Sequence, residues 1–138
     1  MAKYFRLLII IFLLGSCTTP TEDELFGTPT LEIDGRLPID LNGYYHLKLN
    51  PNSNQTIHTI GGVVRNIYEP TKVSWESNLS WEYNGEIVPT VNSSSYVQKD
   101  GAINTVIAPI FSMINDTLSV QATINEWNII QSIKIVLE

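Results

Sequence analysis

From Leu31 onward, apolar and polar residues alternate along the chain with a period of two, and no stretch carries a convincing helical period. The longest run is Lys72 to Tyr83. Val73, Trp75, Leu79, Trp81 and Tyr83 fall on one face, and Lys72, Ser74, Glu76, Asn78, Ser80 and Glu82 on the other. One buried face and one wet face give this pattern. A run of this length can bend near Ser77-Asn78 and serve as two strands. Leu118, Val120, Ala122 and Ile124 alternate with Thr117, Ser119, Gln121 and Thr123. In the last strand Ile133, Ile135 and Leu137 point inward, with Ser132 and Lys134 outward. Tyr45, Leu47 and Leu49 alternate with Tyr44, His46 and Lys48, and Thr56 to Arg65 is a further strand. Gly61-Gly62 inside it predicts a bulge or a close backbone approach.

Turn residues divide these runs. Asn84-Gly85 lies between Trp81-Glu82-Tyr83 and Glu86-Ile87-Val88. Asn-Gly supplies the two positive φ angles of a tight hairpin. Pro51-Asn52-Ser53-Asn54, Lys99-Asp100-Gly101 and Asn115-Asp116 mark other turns, and Pro109 ends the strand that begins at Ala102. The expectation is an all-β, two-sheet antiparallel sandwich of about seven strands over residues 31–138.

The amino-terminal region has a different pattern. Lys3 and Arg6 precede an apolar run from Leu7 to Leu14, followed by Gly15, Ser16 and Cys17. Charge, short apolar stretch and small residues make a secretory signal. The run is about half the roughly 20 residues that a membrane-crossing helix needs. Leu14-Gly15-Ser16-Cys17 resembles the lipobox of bacterial lipoproteins. The resemblance implies removal of residues 1–16, diacylglycerol on the Cys17 sulfur and a fatty acid on the new amino group. Two or more acyl chains anchor a protein stably, where one does not. The expected location is the outer membrane, with lipid on Cys17 as the membrane partner. Residues 17–30 then form a polar tether with Pro20, Gly27 and Pro29. Glu22-Asp23-Glu24 within it is a solvated charge run, and it also resembles the surface-export signals of Bacteroidota lipoproteins.

Charge and cysteine content narrow the partners. Loss of Lys3 and Arg6 with the signal leaves six basic residues against fourteen acidic ones. Such a surface repels phosphate backbones, which argues against nucleic acid. The single cysteine is the lipidated one, so no disulfide within the chain is available and the apolar core must hold the fold.

A second resemblance lies in Thr59-Ile60-Gly61-Gly62-Val63-Val64, Tyr68-Glu69-Pro70-Thr71-Lys72-Val73-Ser74-Trp75, Asp100-Gly101-Ala102 and Asp116-Thr117-Leu118-Ser119-Val120-Gln121-Ala122. This order is similar to the bacterial immunoglobulin-like domains of invasin and intimin type. It implies an immunoglobulin-like sandwich over about Thr56 to Leu137. The family usually occurs as tandem arrays, whereas this chain holds one unit, and Leu31 to Leu49 lies outside the pattern.

Catalytic chemistry finds little support, and no catalytic residue, metal ligand set or cofactor is assigned. His46 and His58 sit on separate predicted strands with no nucleophile elbow nearby. They could meet across a sheet, joined by Asp40 or Glu32, but two exposed strand histidines is the simpler expectation. No metal-ligand spacing occurs. Glu76 and Glu82 are a carboxylate pair on a wet face, without a cleft to make them a glycosidase pair. The row Trp75, Trp81, Tyr83 would stack sugars if it faced outward. The polar residues opposite it assign it to the core. Trp127, at the loop tip Asn125-Glu126-Trp127-Asn128, is a candidate contact residue together with Tyr68 and Tyr96. Asp116-Thr117-Leu118 resembles the O-glycosylation site of Bacteroidota, with Thr117 as acceptor. The Asn-x-Ser/Thr triplets at Asn54, Asn78, Asn92 and Asn115 carry no meaning in a bacterial lipoprotein. The expected function is a non-catalytic, lipid-anchored envelope module, accessory, structural or adhesive, with an envelope protein or a glycan as partner. The alternative is a carbohydrate-binding surface lipoprotein.

Overall fold

The computed structural model describes residues 27–138. The expected signal peptide, Cys17 and the acidic triplet Glu22-Asp23-Glu24 lie outside the described residues. Ten strands form: β1 (Thr30–Asp34), β2 (Tyr45–Leu47), β3 (His58–Arg65), β4 (Lys72–Ser77), β5 (Ser80–Tyr83), β6 (Glu86–Pro89), β7 (Ser94–Tyr96), β8 (Ala102–Ile107), β9 (Thr117–Ile124) and β10 (Ile129–Leu137). Two single 3-10 turns, Phe111–Met113 and Asn125–Trp127, complete the elements.

The protein is an all-β sandwich. One sheet has the order β1-β3-β8 and the other β2-β10-β9-β4-β7, while β5 and β6 make a two-stranded sheet of their own. The count is ten rather than about seven, because the Lys72–Tyr83 run divides and because β1 and the three-residue β7 add strands that the alternation did not mark. Nor is pairing antiparallel throughout: β2 runs parallel to β10, with Tyr45 opposite Ile135 and Leu47 opposite Leu137.

The alternating residues fill the space between the two large sheets. Leu118, Val120, Ala122 and Ile124 of β9, Ile135 and Leu137 of β10, and Val73 of β4 are fully buried. Ile60, Ile103 and Ile107 close the core from the opposite sheet. Trp75 is 2% exposed, and its indole N–H donates to Ser95 Oγ at 2.8 Å. A buried indole is thus both packed and hydrogen-bonded.

Turn chemistry follows the sequence closely. Asn84 and Gly85 have φ of 51° and 82°, and Tyr83 sits opposite Glu86 across that hairpin. Asn66, Asn115 and Asn128 also take positive φ at turns. Gly61-Gly62 makes a close approach, not a bulge: β3 pairs in unbroken register with both β1 and β8. A Cβ on Gly62 would collide with the Glu32 backbone oxygen.

The two ends of the sandwich differ. Thr30 pairs with Arg65, and Asn66 Nδ2 donates to the Thr28 carbonyl at 2.9 Å. The chain therefore enters beside the loop 66–71. Loops 97–101 and 125–128 share that end, since Val64 N–H bonds the Gly101 carbonyl and Lys72 of β4 is paired with Tyr96. The opposite end carries loop 50–57, the β5–β6 hairpin, the turn at Asn115 and the last residue, Glu138. There Thr56 N–H bonds the Pro109 carbonyl, Asn78 N–H bonds the Ser119 carbonyl, and Leu49 N–H bonds the Glu138 carbonyl. Eight-residue strands such as β9 rise about 3.4 Å per residue, which sets the ends about 25 Å apart.

Candidate functional site

The first polar-aromatic cluster forms where the long alternating run breaks. Asn78 ends β4: its side chain donates to the Thr117 carbonyl at 3.1 Å and accepts the Ser119 N–H at 2.7 Å. Thr90, 1% exposed, holds the bend from inside, with its hydroxyl 2.8 Å from the Leu79 carbonyl. Beyond this bend β5 leaves the sheet of β4 and pairs with β6 alone. The apolar row changes fate at the same point. Trp75 is core, Trp81 is half-buried against the core, and Tyr83 is 60% exposed. The assignment of all three to the core is corrected for Tyr83 and, in part, for Trp81.

Trp81 and Tyr83 share one face of β5, and their rings meet edge to face, with centroids 5.7 Å apart at 62°. Together with Asn54 and Gln55 they line an open cleft of about 390 Å³. The Trp81 indole N–H is buried and is the one such side-chain atom among the described residues with no hydrogen-bond partner. An unsatisfied buried donor costs about 1–3 kcal/mol. Periodicity alone could not show this cleft, because it reports which face a residue takes and not what covers that face.

A second cluster surrounds His46. Its Nδ1 bonds Glu138 Oε1, and its Nε2 lies 3.4 Å from Asp40 Oδ2. Asp40 is fixed by accepting backbone N–H bonds from Asn42 and Tyr44, at 2.8 and 2.9 Å. The Glu138 hydrogen bond, reinforced by Asp40, raises the His46 pKa above its ordinary value near 6.5. The backbone N–H of Tyr44 lowers that of Asp40, with the His46 bond adding to it. A protonated imidazole satisfies both carboxylates with its two N–H groups. The two histidines are not brought together. His58 Nε2 lies 2.8 Å from the Gly35 carbonyl, and Glu32 faces Arg65 at 3.9 Å. An adjoining apolar groove is lined by Leu37, Pro38, Leu47 and the stem of Lys48.

The remaining sequence candidates fall as follows. Trp127, Tyr68 and Tyr96 all lie at the end where the chain enters, 38%, 74% and 66% exposed. Tyr68 borders a shallow pocket with Ile67, Pro70 and Val97. Thr117 is exposed at the start of β9, at the opposite end. Glu76 and Glu82 lie on different sheets. Among the described residues no group of histidine, cysteine and carboxylate side chains is arranged to hold a metal ion, and no helix is long and apolar enough to cross a membrane. No family model, curated protein or solved structure matches the chain.

Proposed function

We propose that this protein is a non-catalytic, lipid-anchored module of the cell envelope that holds one immunoglobulin-like sandwich at the outer membrane and meets its partner with the sandwich's far end. The observation that carries this reading is the entry point of the chain. Thr28 is pinned to Asn66, so a tether running back to Cys17 leaves from one end while the β5–β6 hairpin projects from the other. Ten residues, 17–26, separate the lipidation site from the described domain. At most about 3.5 Å per residue, they reach some 35 Å. The anchored end carries Tyr68, Tyr96 and Trp127, side chains suited to a bilayer interface. Arg65, Lys72 and Lys99 balance Glu69, Asp100 and Glu126 there, which leaves the negative excess on the rest of the domain.

Strand order supports the immunoglobulin-like part. With the hairpin and the short β2 set aside, the first, second and fifth strands (β1, β3, β8) share a sheet. The third, sixth and seventh (β4, β9, β10) share the other. The departure is β7, which flanks β4 instead of joining β8.

Mass spectrometry of the mature protein tests the anchor. The expected species begins at Cys17 and carries lipid, and Cys17→Ser removes both. An unmodified start elsewhere refutes the reading. Replacing Glu22, Asp23 and Glu24 with Ala should keep the protein in the membrane and reduce its cleavage by protease added to whole cells. Equal cleavage of both forms removes surface export from the proposal. The second reading, carbohydrate binding, is favoured by one observation: exposed Tyr83 and half-buried Trp81 line a cleft that is open to solvent.

A further inference from the structure

We infer that the cleft formed by Trp81, Tyr83, Asn54 and Gln55 is a binding site for a neutral saccharide, seated one ring at a time at the far end of the sandwich. The inference rests on the carbohydrate-binding reading and gives it a place.

Three features of the cleft select the ligand. The first is its lining: two aromatic rings and two primary amides, with no charged side chain. A pyranose presents an apolar C–H face and a rim of hydroxyls. The rings suit the face, and the amides, each with donors and an acceptor, suit the rim. The second is the way Trp81 is seated: its indole N–H is buried on the protein side, so what it offers a ligand in the cleft is ring surface, the part that stacks on a sugar's C–H face. The third is the angle of 62° between the rings. Coplanar rings would make a platform for an extended chain. Two rings at this angle make a corner, which takes the face of one sugar against one ring and its edge against the other.

Charge excludes the acidic alternatives. Glu86 stands directly opposite Tyr83 in the hairpin, so its side chain leaves from the same face of that two-stranded sheet. Glu86 does not line the cleft, but its charge stands beside it and would repel an approaching uronic or sialic acid, whereas a neutral sugar carries no charge to repel. A proline-rich peptide also stacks on aromatic rings and offers carbonyls to amide donors, so it enters the test as the competing occupant. Position agrees with chemistry. Asn54 and Gln55 belong to the loop that precedes β3, and β5 follows the far end of β4, so the cleft lies at the end of the sandwich opposite Thr28.

The test uses the full-length chain, isotope-labelled in detergent micelles, titrated with neutral gluco-, manno- and galacto-oligosaccharides. A uronic-acid oligosaccharide and a proline-rich peptide are run alongside. Expected are chemical-shift changes at the Trp81 indole N–H and at the Asn54 and Gln55 side-chain amides with at least one neutral sugar, and none with the acidic sugar. Trp81→Ala removes the ring on which the sugar face would stack, so it should weaken binding at least about tenfold. Tyr83→Ala opens the corner and should abolish binding while the rest of the spectrum stays unchanged. A neutral sugar that binds with shifts elsewhere, and is indifferent to both variants, overturns the site but not the carbohydrate reading. No binding by any neutral sugar overturns both. Shifts at the cleft with the peptide alone replace the saccharide by a peptide and overturn the proposal.

Discussion

Trp75 and Trp81 occupy the same face of one alternating sequence run, and the fold treats them in opposite ways. Trp75 lies between two sheets, with its N–H on Ser95. Trp81 lies on a hairpin that belongs to neither large sheet, half-buried, with its N–H unpaired among the described residues. The two side chains are chemically identical, so the difference belongs to what faces them. β4 is paired on both sides, by β9 and β7, and is covered by the opposite sheet, whereas β5 is paired by β6 alone. Alternation records an intention to bury a face. Burial itself requires a second layer.

The sharpest way to break this comparison is to truncate each tryptophan. Trp75→Ala removes a fully enclosed ring and should destabilise the domain by about 3–5 kcal/mol. That is a large part of the roughly 5–15 kcal/mol that holds a typical domain. Trp81→Ala should cost about 1–2 kcal/mol, since part of its ring already lies in water and no closed cavity results. Urea melts of the two variants give both values. Equal losses would show that the hairpin is core.

A smaller effect isolates the hairpin from the sandwich. Gly85 has φ of 82° with open space around it, so Gly85→Ala meets no steric neighbour and acts only through backbone strain. The cost should be about 1 kcal/mol or somewhat more. It should appear as faster amide exchange in β5 and β6, with β9 and β10 unchanged. Uniform acceleration across all strands would mean that the hairpin unfolds only with the whole domain.

The smallest effect concerns the far end's other cluster. The Glu138 hydrogen bond, with Asp40 beside it, favours the protonated form of His46, so its folded pKa lies above the unfolded one. Its stabilising contribution is complete below about pH 6.5 and fades as pH rises through the folded value. Wild-type stability should therefore decline modestly from about pH 6 to pH 9 relative to His46→Gln. Denaturant midpoints across that range measure it. Asp40, whose pKa is lowered, acts only in acid, where falling pH removes its contribution. A wild type that gains stability over His46→Gln with rising pH would contradict the assigned pairing.

Legibility in the sequence followed the range of the interaction. The strand faces of β9 and β10, the Asn84-Gly85 hairpin and the end of β8 before Pro109 are set by neighbours in sequence, and all were readable there. The break at Asn78 was readable as a possible bend. Its outcome was not, because the bend is held by Ser119, Thr117 and Thr90, which belong to other strands. The His46 cluster needed still more. His46 and Glu138 are 92 positions apart and meet because β2 lies parallel to β10. A parallel pair has no turn between its strands, and so it leaves no turn signal. The cleft combines both difficulties, since Asn54 and Gln55 read as loop and Trp81 and Tyr83 read as core.

The entry of the tether into β1 has a mechanical consequence. Under the proposed anchorage, a load between Thr28 and a partner at the far end would run along the strand axes. At β1 it acts across the hydrogen bonds that join Thr30–Asp34 to Gly61–Arg65. These bonds lie perpendicular to the strands, so the pull shears the whole ladder at once and does not open it one rung at a time. A partner gripped by the β5–β6 hairpin draws on both of that hairpin's strands together, through Ser80 and Pro89 at its base. The β1–β3 ladder is thus arranged to resist tension along the long axis of the sandwich, the direction that the proposed anchorage would load.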